Sequence, residues 1–103
     1  MAWRVKWTEP AWSNLEAAAA YIAQDSPRYA ATLVREARDA ARSLRQFANR
    51  GRVVPEIGDP AIRELFVFRQ RYRLLYRVLT GEVHILAFIH GARDLLIALD
   101  KQS

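Results

Sequence analysis

The spacing of apolar positions changes once along the chain, and the two spacings predict two kinds of structure. Trp3, Val5 and Trp7 alternate with Arg4 and Lys6, a period of two that reads as a short strand with one buried face. Thr8-Glu9-Pro10 then offers a cap and a first-turn proline. Ala11, Leu15, Ala18, Ala19 and Ile22 follow at helical spacing, predicting a helix to about Gln24. Asp25-Ser26-Pro27 repeats the start signal, and Ala30, Leu33, Val34, Ala37, Ala41, Leu44 and Phe47 form one stripe over about six turns. Alanines at 17–20 and 30–31 let two helix backbones approach closely, so the pair is expected to fold as an antiparallel hairpin.

Asn49 to Pro60 holds two glycines and two prolines and is the substantial loop of the chain. From Ala61 onward β-branched and aromatic residues dominate. Ile62 to Phe68, Tyr72 to Leu79 and Glu82 to His90 read as three strands of an antiparallel meander, the last two joined by a tight turn at Thr80-Gly81. In the middle strand Tyr72, Leu74, Tyr76 and Val78 fall on one face and Arg73, Leu75, Arg77 and Leu79 on the other. Past Gly91, Ala92 to Asp100 adds a short helix or stays extended. The fold class is therefore α+β, in the order β-α-α-β-β-β, with an antiparallel sheet packed on a helical hairpin.

At 103 residues and 51% hydrophobic, the chain is long enough for one core and is read as a single domain over 1–103. The absence of cysteine excludes disulfides, thiolate zinc sites and a cysteine nucleophile. With no apolar signal region at Met1 to Pro10 and no run of roughly 20 apolar residues, a cytoplasmic protein without a membrane role is expected. The net charge is +5, and fourteen of the sixteen basic residues are arginine. Arginine's planar fork pairs with carboxylates or phosphates, which anticipates an acidic protein or a nucleic acid as partner. The alternative is codon usage that replaces lysine by arginine on solvated faces.

Catalytic signals are few. His84 and His90 lie an even number apart on one predicted strand, so they are expected on one face, with no third metal ligand at a recognisable spacing. The serines lack a nucleophile context, and neither a P-loop nor GxGxxG is present, so no cofactor is expected. The segment Ala61 to Thr80 stands out, with Arg63, Arg69, Arg71, Arg73 and Arg77 against Glu64 alone, a balance of +4. Residues 73 and 77 share a strand face about 13 Å apart, which suits a row of phosphates or carboxylates. Arg93 lies just past the neighbouring strand. The alternative role for these arginines is a solvated rim paired with Glu64 and Asp94.

Several segments resemble those of ParE toxins, of the RelE/ParE type II toxin–antitoxin superfamily. They are Tyr21 to Pro27, then Gly51-Arg52, Pro55-Glu56 and Gly58, then Tyr72-Arg73-Leu74-Leu75-Tyr76-Arg77-Val78, and His90-Gly91-Ala92-Arg93-Asp94-Leu95. The resemblance implies a RelE-like fold, neutralisation by a ParD-like antitoxin whose carboxyl-terminal segment wraps the toxin, and poisoning of DNA gyrase by binding. The related RelE branch instead cleaves messenger RNA on the ribosome, with basic residues on the second strand, arginines on and after later strands, and an acid or base near the carboxyl terminus. Arg73 and Arg93 match those arginines. Glu64 and Phe66 stand where the nucleases place lysines, and Leu96 to Leu99 brings no tyrosine.

A binding protein rather than an enzyme is therefore expected, with RNA cleavage, or an inactive relative that serves only as antitoxin partner, as the alternatives. The residues expected to meet antitoxin or target are Arg63, Arg73, Leu75, Arg77, His90 and Arg93. Trp12, Tyr21, Tyr29, Leu75 and Leu79 are expected to stay partly exposed for the antitoxin's apolar side chains. Contact with nucleic acid is expected only through the antitoxin.

Overall fold

The computed structural model describes residues 2–91. Its elements are β1 (Arg4–Trp7), α1 (Glu9–Ala23), α2 (Pro27–Ser43), β2 (Arg52–Val53), β3 (Ile62–Val67), β4 (Tyr72–Leu79) and β5 (Glu82–His90). The segment Ala92 to Asp100, expected as a short helix or extended chain, lies outside the described residues.

Both helices begin where the side chains can satisfy free backbone donors. Thr8 Oγ1 accepts from the Ala11 amide at 3.3 Å and donates to the Ile85 carbonyl at 2.7 Å, so the α1 cap also anchors the helix to β5. Ser26 Oγ accepts from the Tyr29 amide at 3.2 Å to start α2. Helix α2 stops earlier than the apolar stripe predicts. Leu44 remains in the core, but the chain unwinds after Ser43, Phe47 turns out to solvent, and Ala48 is buried instead.

The five strands lie in the order β1-β5-β4-β3-β2. The meander β3-β4-β5 is antiparallel, as the alternation predicts. Two pairings are additions. β1 runs parallel to β5, Arg4 beside Glu82 and Trp7 beside Ile85, because the helical hairpin carries the chain back across the sheet. β2 is a two-residue ladder inside the glycine- and proline-containing loop, pairing Arg52 with Glu64 and Val53 with Arg63.

The helices cover one face of this sheet. Leu15, Leu33, Ala37 and Leu44 pack there on Leu74, Tyr76, Val83, Ile85 and Phe88. On the opposite face Val54, Ile62, Leu75, Ala87 and Ile89 make a second, smaller cluster, with Ile57 of the loop packed against it. A bulge shapes both. Leu75 pairs with Ala87 but Tyr76 pairs with Ile85, so Leu86 is an extra residue. The side chains of β5 change faces there, and the displaced Phe88 amide donates to Asn14 Oδ1 at 3.1 Å. His84 and His90 consequently lie on opposite faces, contrary to the expectation from their even spacing.

Candidate functional site: a charge quartet and an aromatic groove

On the face away from the helices four charged side chains, Arg52, Glu56, Glu64 and Arg73, form one connected network. Arg73 Nε donates to Glu64 Oε1 at 2.6 Å, while its Nη1 and Nη2 donate to Glu56 at 2.9 and 3.0 Å. Arg52 Nε donates to the other oxygen of Glu64 at 2.6 Å, and its guanidinium lies 5.1 Å from the centre of the Phe66 ring. Glu64 is 1% exposed and Arg73 5%, so the set is neutral and its centre is out of water. A buried charge is tolerated only with partners of this kind. Hydrogen bonding from Arg73 holds the Glu56 carboxyl below its ordinary range, and the bonds to Glu56 and Glu64 hold the Arg73 guanidinium protonated against desolvation.

The loop stays over the sheet through backbone contacts as well. Tyr76 Oη accepts from the Gly51 amide at 2.9 Å, and Arg63 Nη1 donates to the Gly51 carbonyl at 2.9 Å. Burial pushes the Tyr76 hydroxyl up, keeping it neutral.

The helix side of the sheet carries a separate feature. A groove of about 540 Å³ lies between the α1–α2 turn and the β3–β4 turn, with Tyr21, Tyr29, Phe68, Tyr72, Arg71 and His90 on its walls. Tyr72 is stacked on Phe88 with centroids 5.1 Å apart, and its ring meets His90 edge-on at 5.3 Å. Tyr21 and Tyr29 are 71% and 56% exposed at the mouth. The β3–β4 turn bordering the groove places Phe68, Arg69 and Gln70 at φ of 55°, 57° and 64°, and Glu36 of α2 accepts from the Phe68 amide at 3.2 Å. Such left-handed residues are costly without support, and the helix carboxylate supplies it.

The residues singled out from sequence do not converge. Arg73 is a paired, buried cation rather than an exposed one. Leu75 is fully buried beneath the loop, which corrects the expectation that it stays exposed; Trp12, Tyr21, Tyr29 and Leu79 are exposed as expected. Arg63 braces the loop, Arg77 is exposed on the far face, and His90 is exposed at the groove on the helix side. Arg93 lies outside the described residues. Sequence reasoning missed Glu56 as a partner of Arg73. The signal was a carboxylate in a loop that must close over a strand carrying an unmatched arginine. Among the described residues no group of three or more side chains is suited to hold a metal ion, and no helix is long and apolar enough to cross a membrane.

A helical hairpin on one face of a mostly antiparallel five-stranded sheet is the fold of the ParE and RelE toxins. The family model described as "ParE toxin of type II toxin-antitoxin system, parDE" matches residues 5–95, and the chain belongs to that family. It is 37% identical over 90 residues to a Caulobacter vibrioides protein named Toxin RelE2, covering 87% of this chain and 97% of that one. It is also similar to a solved structure titled "Chromosomal ParDE TA system from P. aeruginosa", with a TM-score of 0.70, 28% identity, and coverage of 86% of this chain and 96% of the other.

Proposed function

We propose that this toxin acts by binding, that DNA gyrase is its target, and that a ParD-like antitoxin neutralises it in the cytoplasm. The observation that carries the binding reading is the closed charge quartet. RNA cleavage through a 2′-hydroxyl wants an acid, a base and cations free to meet the phosphorane. Arg73, the arginine that corresponds to one used by the nucleases, is occupied by Glu56 and Glu64. Glu64 and Phe66 at the nuclease lysine positions add no positive charge. The antitoxin's carboxyl-terminal segment takes the aromatic groove, where Tyr21 and Tyr29 offer apolar anchors and Arg69 and Arg71 meet its carboxylates.

Purified toxin added to gyrase is expected to inhibit supercoiling or to trap cleaved DNA, and equimolar antitoxin is expected to reverse this. Growth arrest on expression, with gyrase unaffected in vitro, would identify another target. The second reading, ribosome-dependent cleavage of messenger RNA, is favoured by His90 beside Tyr72 and Arg71 and by the name of the Caulobacter relative. On that reading His90→Gln lowers cleavage about 100-fold with the fold intact. Intact message in arrested cells excludes it.

A further inference from the structure

The outward face of α2 carries a concentration of free-standing charge that the sheet does not. Arg28, Arg35, Arg38 and Arg42 are all exposed, and Arg45 follows in the turn beyond the helix. At 3.6 residues per turn the four helical arginines fall within an arc of about 80°, opposite the buried Leu33 and Ala37, and span about 21 Å along the axis. Residues 26–50 hold six arginines against two acids, Glu36 and Asp39. Glu36 is turned to the Phe68 amide. Asp39 lies 3.8 Å from Arg42, with both side chains more than half exposed, and among the described residues this is the one ion pair of the face. A pair so exposed neutralises little of the field.

The chemistry of the arc selects its partner. Protein interfaces are built around a buried apolar or aromatic centre, and between Arg28 and Arg42 the arc offers only Ala31. Single-stranded nucleic acid is held by stacking successive bases on several aromatic rings, and this face offers one, the exposed Phe47 beyond Arg45 at its end. What remains is a repeating anion that needs only guanidinium forks: the phosphate backbone of a duplex. A helix about 10–12 Å across fits the roughly 12 Å major groove of B-form DNA, whereas the narrow major groove of A-form RNA excludes it. We propose that the arginine face of α2 is a duplex-DNA-binding surface that contacts phosphates without reading sequence. The toxin then has its own hold on DNA, which departs from the expectation that such contact comes only through an antitoxin. The inference stands apart from the target assigned above, since gyrase takes no part in the binding.

The test is fluorescence anisotropy of a labelled 20-base-pair duplex of arbitrary sequence, titrated with the full chain at salt from about 50 to 200 mM, without antitoxin. Binding is expected to weaken linearly in log salt. The triple variant Arg35→Gln/Arg38→Gln/Arg42→Gln is expected to reduce the slope by about 2 to 3 and the affinity about tenfold or more, since each phosphate contact contributes about 0.9 to the slope. Glutamine keeps helix propensity, and an unchanged circular dichroism spectrum checks the fold. If the triple variant unfolds, Arg38→Gln and Arg42→Gln singly are each expected to lower the slope by about 0.9. The sheet-side variant Arg69→Gln/Arg71→Gln/Arg77→Gln removes the same charge and is expected to leave the slope nearly intact. Equal losses in the two triple variants would reduce the effect to net charge and overturn the proposal. So would tighter binding of an RNA duplex of the same sequence. Retained DNA binding by the α2 variant, together with lost binding of a synthetic acidic helical peptide, would assign the face to a protein instead.

Discussion

Arg73 and Glu56 meet through two parallel hydrogen bonds, 2.9 and 3.0 Å long, so a loop carboxylate closes over a strand guanidinium seventeen positions away. Because that pairing lowers the Glu56 pKa from 4.5, the stabilisation it gives is complete above pH 4.5 and is lost as the pH falls through the lowered folded value. Urea denaturation between pH 3 and 7 is expected to show a shallower acid limb for Glu56→Gln than for the natural chain. Glu56 is more than a third exposed, so solvent screens the pair, and the loss at neutral pH should be about 1 kcal/mol or less.

Glu64 is a different case, since it is out of water and holds two arginines at once. Glu64→Ala strands Arg73 beside a single loop carboxylate and is expected to cost about 3–5 kcal/mol. Replacing both central members, as Glu64→Leu/Arg73→Met, should recover most of that loss. Denaturation midpoints of the three chains decide it: a double variant no more stable than Glu64→Ala would mean that the loop, not the charge balance, was lost.

Much of the fold was legible because it is written in local pattern. The cap residues Thr8 and Ser26 and the alternation from Tyr72 to Val78 each state their structure within a few positions. The rest depends on distant partners. β1 does not encode that its neighbour is β5, and a two-residue ladder such as Arg52–Val53 has no periodicity to read. The bulge at Leu86 leaves no mark in the apolar pattern, yet it separates His84 from His90. Arg73 of β4 reads as a surface cation because its neutralising carboxylates come from β3 and the loop. The outward arginines of α2, by contrast, sat in plain sight behind its apolar stripe.

The close approach of Gly51 to the sheet leaves no room for a side chain. A Cβ there would lie 2.6 Å from the Glu64 carbonyl oxygen and 2.6 Å from Tyr76 Oη. Gly51→Ala is expected to destabilise the fold by about 1–3 kcal/mol through overpacking. Tyr76→Phe, which leaves the buried Gly51 amide without its acceptor, should cost about 1–3 kcal/mol by a separate route. Thermal unfolding of both single variants and the double checks this, and a double loss smaller than the sum is expected because the two changes share one contact.

Tyr21 and Tyr29 at the groove mouth are exposed and support no core, so their removal should spare stability. On the antitoxin reading, Tyr21→Ala/Tyr29→Ala speeds antitoxin dissociation about tenfold or more with little change in association rate. Surface plasmon resonance against the intact antitoxin separates the two rates. An unchanged dissociation rate would place the antitoxin elsewhere.

The parallel pairing of β1 with β5 sets an order in time. Arg4 waits for Glu82, which the ribosome adds 78 positions later, roughly 4–16 s at ordinary rates of synthesis. Until then the first strand has no ladder, the Thr8 cap lacks its Ile85 acceptor, and Asn14 lacks the Phe88 amide. The helical hairpin has no seat before β5 arrives. A chain that ends before Glu82 therefore lacks both the ladder that holds β1 and the strand on which the helical hairpin sits.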